Sequence, residues 1–222
     1  MADRFGHADG AGLVDEGRRV RIPGEAAHVG HATGAVVGPV AADHHDARLL
    51  GRAVKHIAYD RAAIASRVRA LGAEITAAYP DGELLVLGLL KGSFVFLADL
   101  VREIQRPLHV DFLVASSYGH GTVSSGNVRL VYDPETKLEG KHILLVEDIV
   151  DTGRTLSTLI ELLSARNPAS IEICALLHKH IATELHHPTK FIGFDAPNEF
   201  LVGYGLDHAE NFRHLPYVAS LQ

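Results

Sequence analysis

Three carboxylates and a threonine-rich turn stand close together in the segment Ile143-Leu144-Leu145-Val146-Glu147-Asp148-Ile149-Val150-Asp151-Thr152-Gly153-Arg154-Thr155-Leu156. The apolar run His142–Val146 has strand character and delivers Glu147 and Asp148 at its exit. Asp151 follows after two apolar residues, and Asp151–Thr155 reads as a turn into a helix start. Free backbone N–H groups at a helix N-terminus, threonine hydroxyls and a glycine that permits close approach make a phosphate cradle. The neighbouring carboxylates suit the vicinal hydroxyls of a sugar or a bound cation, because their oxygens accept hydrogen bonds and ligate hard ions. A phosphorylated sugar satisfies both halves at once. The alternative is a solvated strand end with Thr152 or Thr155 capping the helix; it explains each feature singly but not their coincidence. Competing phosphate motifs fail. No G-x-x-x-x-G-K-[ST] occurs, and the nearest G-x-G-x-x-G candidate, Gly119-His120-Gly121-Thr122-Val123-Ser124, lacks its last glycine.

The elements that must position this segment follow from apolar spacing. Asp60 is an N-cap candidate, and Ile64, Val68, Leu71 and Ile75 form the buried stripe of a helix that ends before Pro80. Leu84–Leu90 is a continuous apolar run of strand length. A helix starting near Ser93 places Leu97, Leu100, Val101 and Ile104 on one face, and Val110, Phe112 and Val114 alternate as a strand. Ser116–Asn127 reads as a long loop of the functional kind, and Val128–Tyr132 as a short strand. A helix from about Arg154 to Ala165 turns Leu156, Leu159, Ile160 and Leu163 inward. Strands over Ile171–Leu177, Phe191–Phe194 and Leu201–Tyr204 complete the pattern. Strands alternating with helices predict an α/β domain around a mainly parallel sheet, in which ligands sit beyond the carboxyl ends of the strands.

Composition narrows the classes. The 222 residues carry 47% apolar and 22% charged residues, the balance of a globular chain with a real core. Leu84–Leu90 is far shorter than the roughly 20 apolar residues a bilayer span needs. No signal-peptide pattern opens the chain, and the single cysteine, Cys174, excludes an internal disulfide framework, so a cytoplasmic setting is expected. Cys174 alternates within its strand as a small apolar residue rather than a nucleophile. A net charge of −6 offers no global field for nucleic acid. Residues 1–50 differ from residues 51–222: 23 of the first 48 are Gly, Ala or His, and Phe5 is their only aromatic. Such a segment cannot offset an ordering cost of about 1–2 kcal/mol per residue, so a disordered extension is expected. Its histidines (His7, His28, His31, His44, His45) read as scattered imidazoles. His178, His180, His186 and His187 fit no three-ligand zinc pattern and read as surface histidines.

Glu147–Thr155 resembles the phosphoribosyl-diphosphate signature of the purine phosphoribosyltransferases, and the similarity is closest to the bacterial hypoxanthine (hypoxanthine-guanine) enzymes. Leu90-Lys91-Gly92 resembles the family's pyrophosphate loop, and Ser116-Ser117-Tyr118-Gly119 the start of its flexible loop. Val202-Gly203-Tyr204-Gly205-Leu206-Asp207, with Phe200 before and Phe212-Arg213 after, resembles its purine-binding hood. These blocks run in family order over about residues 56–221.

The resemblance implies a type I phosphoribosyltransferase fold with a small hood, and purine salvage. A 6-oxopurine attacks the anomeric carbon of 5-phosphoribosyl diphosphate and expels pyrophosphate. It implies that Glu147 and Asp148 hold the ribose hydroxyls, partly through magnesium, and that Asp207 is a further magnesium ligand. Asp151 is the expected general acid/base at the purine imidazole nitrogen. Thr152, Gly153, Arg154 and Thr155 match the 5′-phosphate loop, with the Arg154 amide mattering more than its guanidinium. Lys91 and Gly92 match the pyrophosphate contacts, at a position where the family has an unusual cis peptide. Lys179 matches the donor to the exocyclic oxygen, Phe200 the aromatic stacked on the base, Leu201 the main-chain reader of the purine edge, and Arg213 a diphosphate contact. Ser117 and Tyr118 ride the loop that excludes water. The family also implies a homo-oligomer, dimer or tetramer. A regulatory sensor that binds nucleic acid would need a basic groove or an appended basic domain, and neither is visible. A xanthine-specific enzyme stays open, because main-chain contacts dominate base selection.

Overall fold

The computed structural model describes residues 47–117, 128–179 and 185–222. Six strands form the main sheet: β2 (Leu84–Leu90), β3 (His109–Ser117), β4 (Val128–Tyr132), β5 (His142–Val150), β6 (Ser170–His178) and β7 (Thr189–Asp195). Their order is β4-β3-β2-β5-β6-β7, parallel throughout except for the antiparallel edge strand β4. From β2 the chain moves outward to β3 on one side, whereas β5 leads to β6 and β7 on the other. The strand order therefore reverses between β2 and β5, the place where open α/β sheets bind ligands.

Both faces of this sheet are covered, which is why β2 reads as an unbroken apolar run rather than an alternating one. Helices α1 (Arg61–Ala78) and α2 (Phe94–Glu103) pack on one face, where Ile64, Val68, Leu71, Ile75, Phe96 and Leu100 meet Val86, Leu144, Val146 and Cys174. Helix α3 (Arg154–Ser164) covers the other, with Leu156, Leu159 and Leu163 against Leu85, Leu87, Ile143 and Leu145. Ile160 is only partly buried at the margin of that cluster. Asp60 caps α1 as its type predicts, its carboxylate accepting from the Ala63 N–H at 2.8 Å. Arg67 ties the same helix to β7 by donating to the carbonyls of Ile192 and Gly193.

A second, antiparallel sheet forms the hood, in the order β1 (Val54–Tyr59), β9 (Val218–Leu221), β8 (Leu201–Val202). Neither β1 nor β9 was expected from the apolar pattern. Lys55 and His56 interrupt β1, β9 has four residues, and the two are strands only because they pair with each other across the length of the domain. The strand expected over Leu201–Tyr204 stops at Val202. Gly203, Tyr204 and Gly205 all take positive φ angles (98°, 51° and 105°), which end the ladder in a tight turn. A short turn of 3-10 helix, Ala47–Leu49, precedes the hood. Leu49 is buried with Val54, Val202, Phe212 and Leu215, ahead of the boundary expected after residue 50. Residues 1–46, which carry the expected extension and its histidines, lie outside the described residues, as do Tyr118 and His180.

One correction bears on the site. The strand expected to end at Val146 continues to Val150, because β6 pairs with it as far as Val150↔His178. The Glu147 and Asp148 backbones are therefore held in a ladder rather than released into a turn.

Away from the site, Asp111 in β3 fastens the bend between β4 and β5 by accepting from the Thr136 N–H (3.1 Å) and the Thr136 hydroxyl (2.9 Å), and it also accepts from the Phe112 N–H (2.8 Å). Burial alone would raise its pKa, but these hydrogen bonds outweigh burial and hold it below the ordinary carboxylate range. A carboxyl lowered in the folded state contributes stability above the unfolded value of about 3.9 and loses it as the pH falls through the folded one. Asp111→Asn should therefore lower stability near pH 7 and flatten the acid limb below about pH 4, as read by urea unfolding midpoints across that range.

Candidate active site

The end of β5 is open on one side. Pairing with β2 stops at Gly88↔Val146, while pairing with β6 runs four residues further. Glu147 lies at this opening with its carboxyl buried, and Oε2 has no hydrogen-bond partner among the described residues. Burial, reinforced by the charge of Asp148, raises its pKa well above the usual range. Asp148 accepts from the Ile149 N–H at 2.9 Å. Burial raises its pKa too, and the nearby Asp207 adds to that, against the lowering effect of backbone N–H groups and Arg213. Buried polar oxygens without partners are uncommon in folded proteins, and at a strand end they mark a place built for something else to bind.

The loop after β2 closes over Asp148. The Leu90–Lys91 peptide bond is cis, at the position the family resemblance pointed to. A Cβ added at Gly92 would lie 1.8 Å from Asp148 Oδ2, so only glycine allows this approach. Gly205 of the hood comes as close to Gly92: a Cβ there would lie 2.0 Å from the Gly92 carbonyl oxygen. Lys91 reaches outward, its Nζ 3.1 Å from Glu210.

Beyond β5, Asp151 and Thr152 are exposed, and Gly153 opens α3 at φ 83°. No side chain caps this helix. The capping alternative for Asp151, Thr152 or Thr155 is therefore not what the turn does. The first helical bond runs from Ser157 N–H to the Gly153 carbonyl (2.9 Å), and Thr152 Oγ1 receives only a long contact from the Arg154 N–H (3.5 Å). Asp151 instead meets Lys179, whose Nζ lies 3.2 Å from Oδ2.

The hood supplies the opposite wall. Phe200 is 61% exposed and touches His208 edge-on, with ring centroids 5.2 Å apart at 84°. Leu201 is buried beside it in β8. Asp207 pairs with Arg213 at 2.8 Å and accepts from the Glu210 N–H, also at 2.8 Å. Arg213 donates to the Gly205 carbonyl (2.9 Å) and lies 3.4 Å from Glu210.

Asp148, Asp151, Lys179, Phe200, Leu201 and Asp207 thus line one cleft of about 230 Å³. Gly92 and Arg213 adjoin it through Asp148 and Asp207, and Lys91 is one step further out, paired with Glu210, whose N–H donates to Asp207. Ser117 ends β3, and Tyr118 falls outside the described residues. Glu147, Asp148 and Asp207 do not form a three-ligand metal cluster, nor does any other group of His, Cys, Asp and Glu among the described residues. His187 lies 3.7 Å from Glu172, away from the cleft. Cys174 is fully buried, and burial pushes its thiol pKa up. Three lining residues had no role in the sequence reading: Ile149 and Leu206, which lie inside its motifs, and Glu199, whose only signal is a carboxylate directly before the aromatic of the hood motif.

Residues 57–209 match the sequence profile of the phosphoribosyl transferase domain. The chain belongs to that family. Within it, the chain is 48% identical to the hypoxanthine phosphoribosyltransferase of Salmonella typhimurium over 162 residues, covering 72% of this chain and 91% of that one. It is 46% identical to the hypoxanthine-guanine phosphoribosyltransferase of Bacillus subtilis, covering 72% and 88%. A crystal structure of a Staphylococcus aureus hypoxanthine phosphoribosyltransferase superposes with a TM-score of 0.74 at 39% identity, covering 76% of this chain and 92% of that one. A Bacillus anthracis hypoxanthine-guanine phosphoribosyltransferase gives 0.73 at 37% identity, covering 77% and 100%. These relatives and solved structures are named hypoxanthine or hypoxanthine-guanine phosphoribosyltransferases, and this chain shares their α/β fold.

In this phosphoribosyltransferase, Gly92 and Asp148 are the tightest point of contact between the loop and the strand. Gly92→Ala must push the loop and the carboxylate apart. A displacement of about 1 Å costs on the order of 10²-fold in rate at a positioned site. Turnover of Gly92→Ala should fall by about that factor with an unchanged far-ultraviolet circular dichroism spectrum.

Proposed function

We propose that the cleft at the end of β5 joins 5-phosphoribosyl diphosphate to hypoxanthine, guanine or both, releasing pyrophosphate and the 5′-monophosphate. The observation that carries this reading is the Asp151–Lys179 pair, with oxygen and nitrogen 3.2 Å apart, set between the carboxylates of β5 and the exposed Phe200. A 6-oxopurine presents an oxygen acceptor beside an imidazole nitrogen on a single edge, and a donor next to an acceptor is its complement.

Each group has a task. The amides at the start of α3, opened by Gly153 and capped by no side chain, take the 5′-phosphate, with Thr152, Arg154 and Thr155 around it. Glu147 and Asp148 hold the ribose hydroxyls. Phe200 stacks on the base, and the main chain at Leu201 reads its edge. As a base nitrogen bonds to the anomeric carbon, the bond from that carbon to the diphosphate oxygen breaks and its electron pair leaves with pyrophosphate. Asp151 accepts the proton that the base gives up, while Lys179 donates to the exocyclic oxygen. Lys91, the Gly92 amide and Arg213 receive the diphosphate. Ser117 and Tyr118 belong to the loop that excludes water from the reacting carbon.

Magnesium fits the donors at hand. Glu147 Oε2 is an orphaned buried oxygen, and Asp207 is near enough for its charge to act on Asp148. Magnesium binds hard oxygens and commonly uses one or two carboxylates together with substrate phosphates, so a three-carboxylate cage is not required. One or two of Glu147, Asp148 and Asp207 would hold it together with substrate oxygens, and when bound it would offset the charge on the leaving diphosphate.

The reaction needs no nucleic acid or membrane, and no described helix is long and apolar enough to cross a bilayer. A cytoplasmic setting suits the free, buried thiol of Cys174. A homo-oligomer, dimer or tetramer, would give the exposed ring of Phe94 on α2 a partner surface.

Asp151→Asn keeps the shape but cannot take the proton. Its kcat should fall by about 10²–10⁴-fold with the diphosphate KM little changed, measured by nucleotide formation under saturating substrate. Chelation should abolish turnover and added magnesium restore it, without a change in the unfolding midpoint. A protein that forms no nucleotide with both substrates and magnesium would refute the assignment, and competition among hypoxanthine, guanine and xanthine would settle the base.

A further inference from the structure

Phe200 poses a mechanical problem. Its ring is 61% exposed, and an edge contact with His208 is its one aromatic neighbour among the described residues. An exposed ring cannot be fixed by core packing, so its backbone must be fixed from elsewhere. The residue that does so is Glu199. Its Oε1 lies 3.0 Å from Lys55 Nζ and its Oε2 3.6 Å from His56 Nε2, and Ser220, opposite Leu201 in the β8–β9 ladder, stands close enough to lower its pKa. Lys55 and His56 belong to β1, and Ser220 is a buried residue of β9. Glu199 sits at the edge of the cleft, but its Oε2 is shut away from solvent and accepts no hydrogen bond among the described residues, with the His56 ring of β1 3.6 Å away.

Among the described residues, the rest of the segment is held at its ends. The Ala196 N–H donates to the His178 carbonyl at 2.8 Å before it, and Leu201 pairs with Ser220 after it. Between these points the Glu199 N–H bonds within the segment, to the Pro197 carbonyl. We propose that Glu199 is a positioning residue of the base site, clasped by Lys55, His56 and Ser220 so that the next residue, Phe200, stands at the angle at which a purine stacks. An isolated ion pair with Lys55 alone, whose side chain is 56% exposed, would hold little. Three contacts converging on one carboxylate from two strands share the ordering cost and fix a direction. The inference rests on the proposed stacking role of Phe200.

The carboxylates of β5 and the turn before α3 are attached to the main sheet, not to this segment. The effect should therefore fall on the base alone. In the full-length enzyme, Glu199→Ala should raise the base KM about tenfold, the scale of one base–aromatic stacking contact, with kcat and the diphosphate KM within about twofold. Glu199→Gln keeps an acceptor for Lys55 or Ser220 and should recover most of that affinity. Lys55→Met should show a smaller rise of the same kind. Phe200→Ala should raise the base KM by itself, and adding Glu199→Ala to it should add almost nothing, because one residue acts through the other. Full additivity of the two changes would overturn the proposal. So would an equal loss for base and diphosphate, or a lowered unfolding midpoint with no KM split. If Phe200→Ala leaves the base KM unchanged, the stacking role itself fails and this inference falls with it. If Glu199→Ala does not fold, the Gln and Met variants decide on the same KM split.

Discussion

The site depends on one constraint: β5 is sandwiched between β2 and β6 and buried on both faces, yet its last residues are carboxylates. Ile143, Leu144, Leu145 and Val146 are wholly inaccessible to solvent. Burying each such side chain is worth about 1.5–3 kcal/mol, which anchors the strand firmly enough to carry Glu147 and Asp148 into a place they would otherwise avoid. Desolvating a carboxyl without a partner is costly, and Glu147 meets that cost by holding its proton more tightly. The other close approaches follow from this strand end. Gly92 must be a glycine because Asp148 is there, and Gly205 must be one because the Gly92 carbonyl is there.

Charge in the cleft is arranged in compensated pairs. Lys179 faces Asp151, Arg213 faces Asp207 and Glu210, and Lys91 faces Glu210. A chain of net charge −6 has no general attraction for a diphosphate, so capture depends on local cations with fixed directions. The half-buried pairs, Lys179 with Asp151 and Arg213 with Asp207, orient their cations before substrate arrives, whereas the exposed Lys91–Glu210 pair holds little. The orphaned oxygen of Glu147 is the exception, and its oxygen chemistry suits sugar hydroxyls or a hard cation.

Legibility in the sequence tracked locality. The segment from Ile143 to Leu156 is contiguous, so its strand, turn, glycine and helix start could be read directly. Helix α1, with its cap at Asp60 and its stripe from Ile64 to Ile75, was equally plain because its signals lie within one helix. The true end of β5 was hidden, since polar residues after an apolar run read as an exit unless the partner strand is known. Pairing with β6 to His178 overrides that reading. Strands β1 and β9 were hidden for the same reason: residues 54–59 and 218–221 stabilise each other and show no pattern alone. Glu199 was invisible because its partners, Lys55, His56 and Ser220, lie on just those two strands.

That division separates the two halves of the proposed site. The phosphoribosyl half is held by neighbours in sequence and forms wherever β5 and α3 form. The base half sits on a hood made from strands at opposite ends of the folded chain, so its geometry comes only with the closure of a long loop. Leaving Phe200 outside the core forgoes the stabilisation its burial would bring, and in the proposed site a flat base covers the ring. A platform of that kind must be ready before the ligand binds, because ordering it during binding would subtract from affinity. The hood's pairing across the domain supplies that readiness, and its polar clasp lets a surface ring keep one orientation without a core behind it.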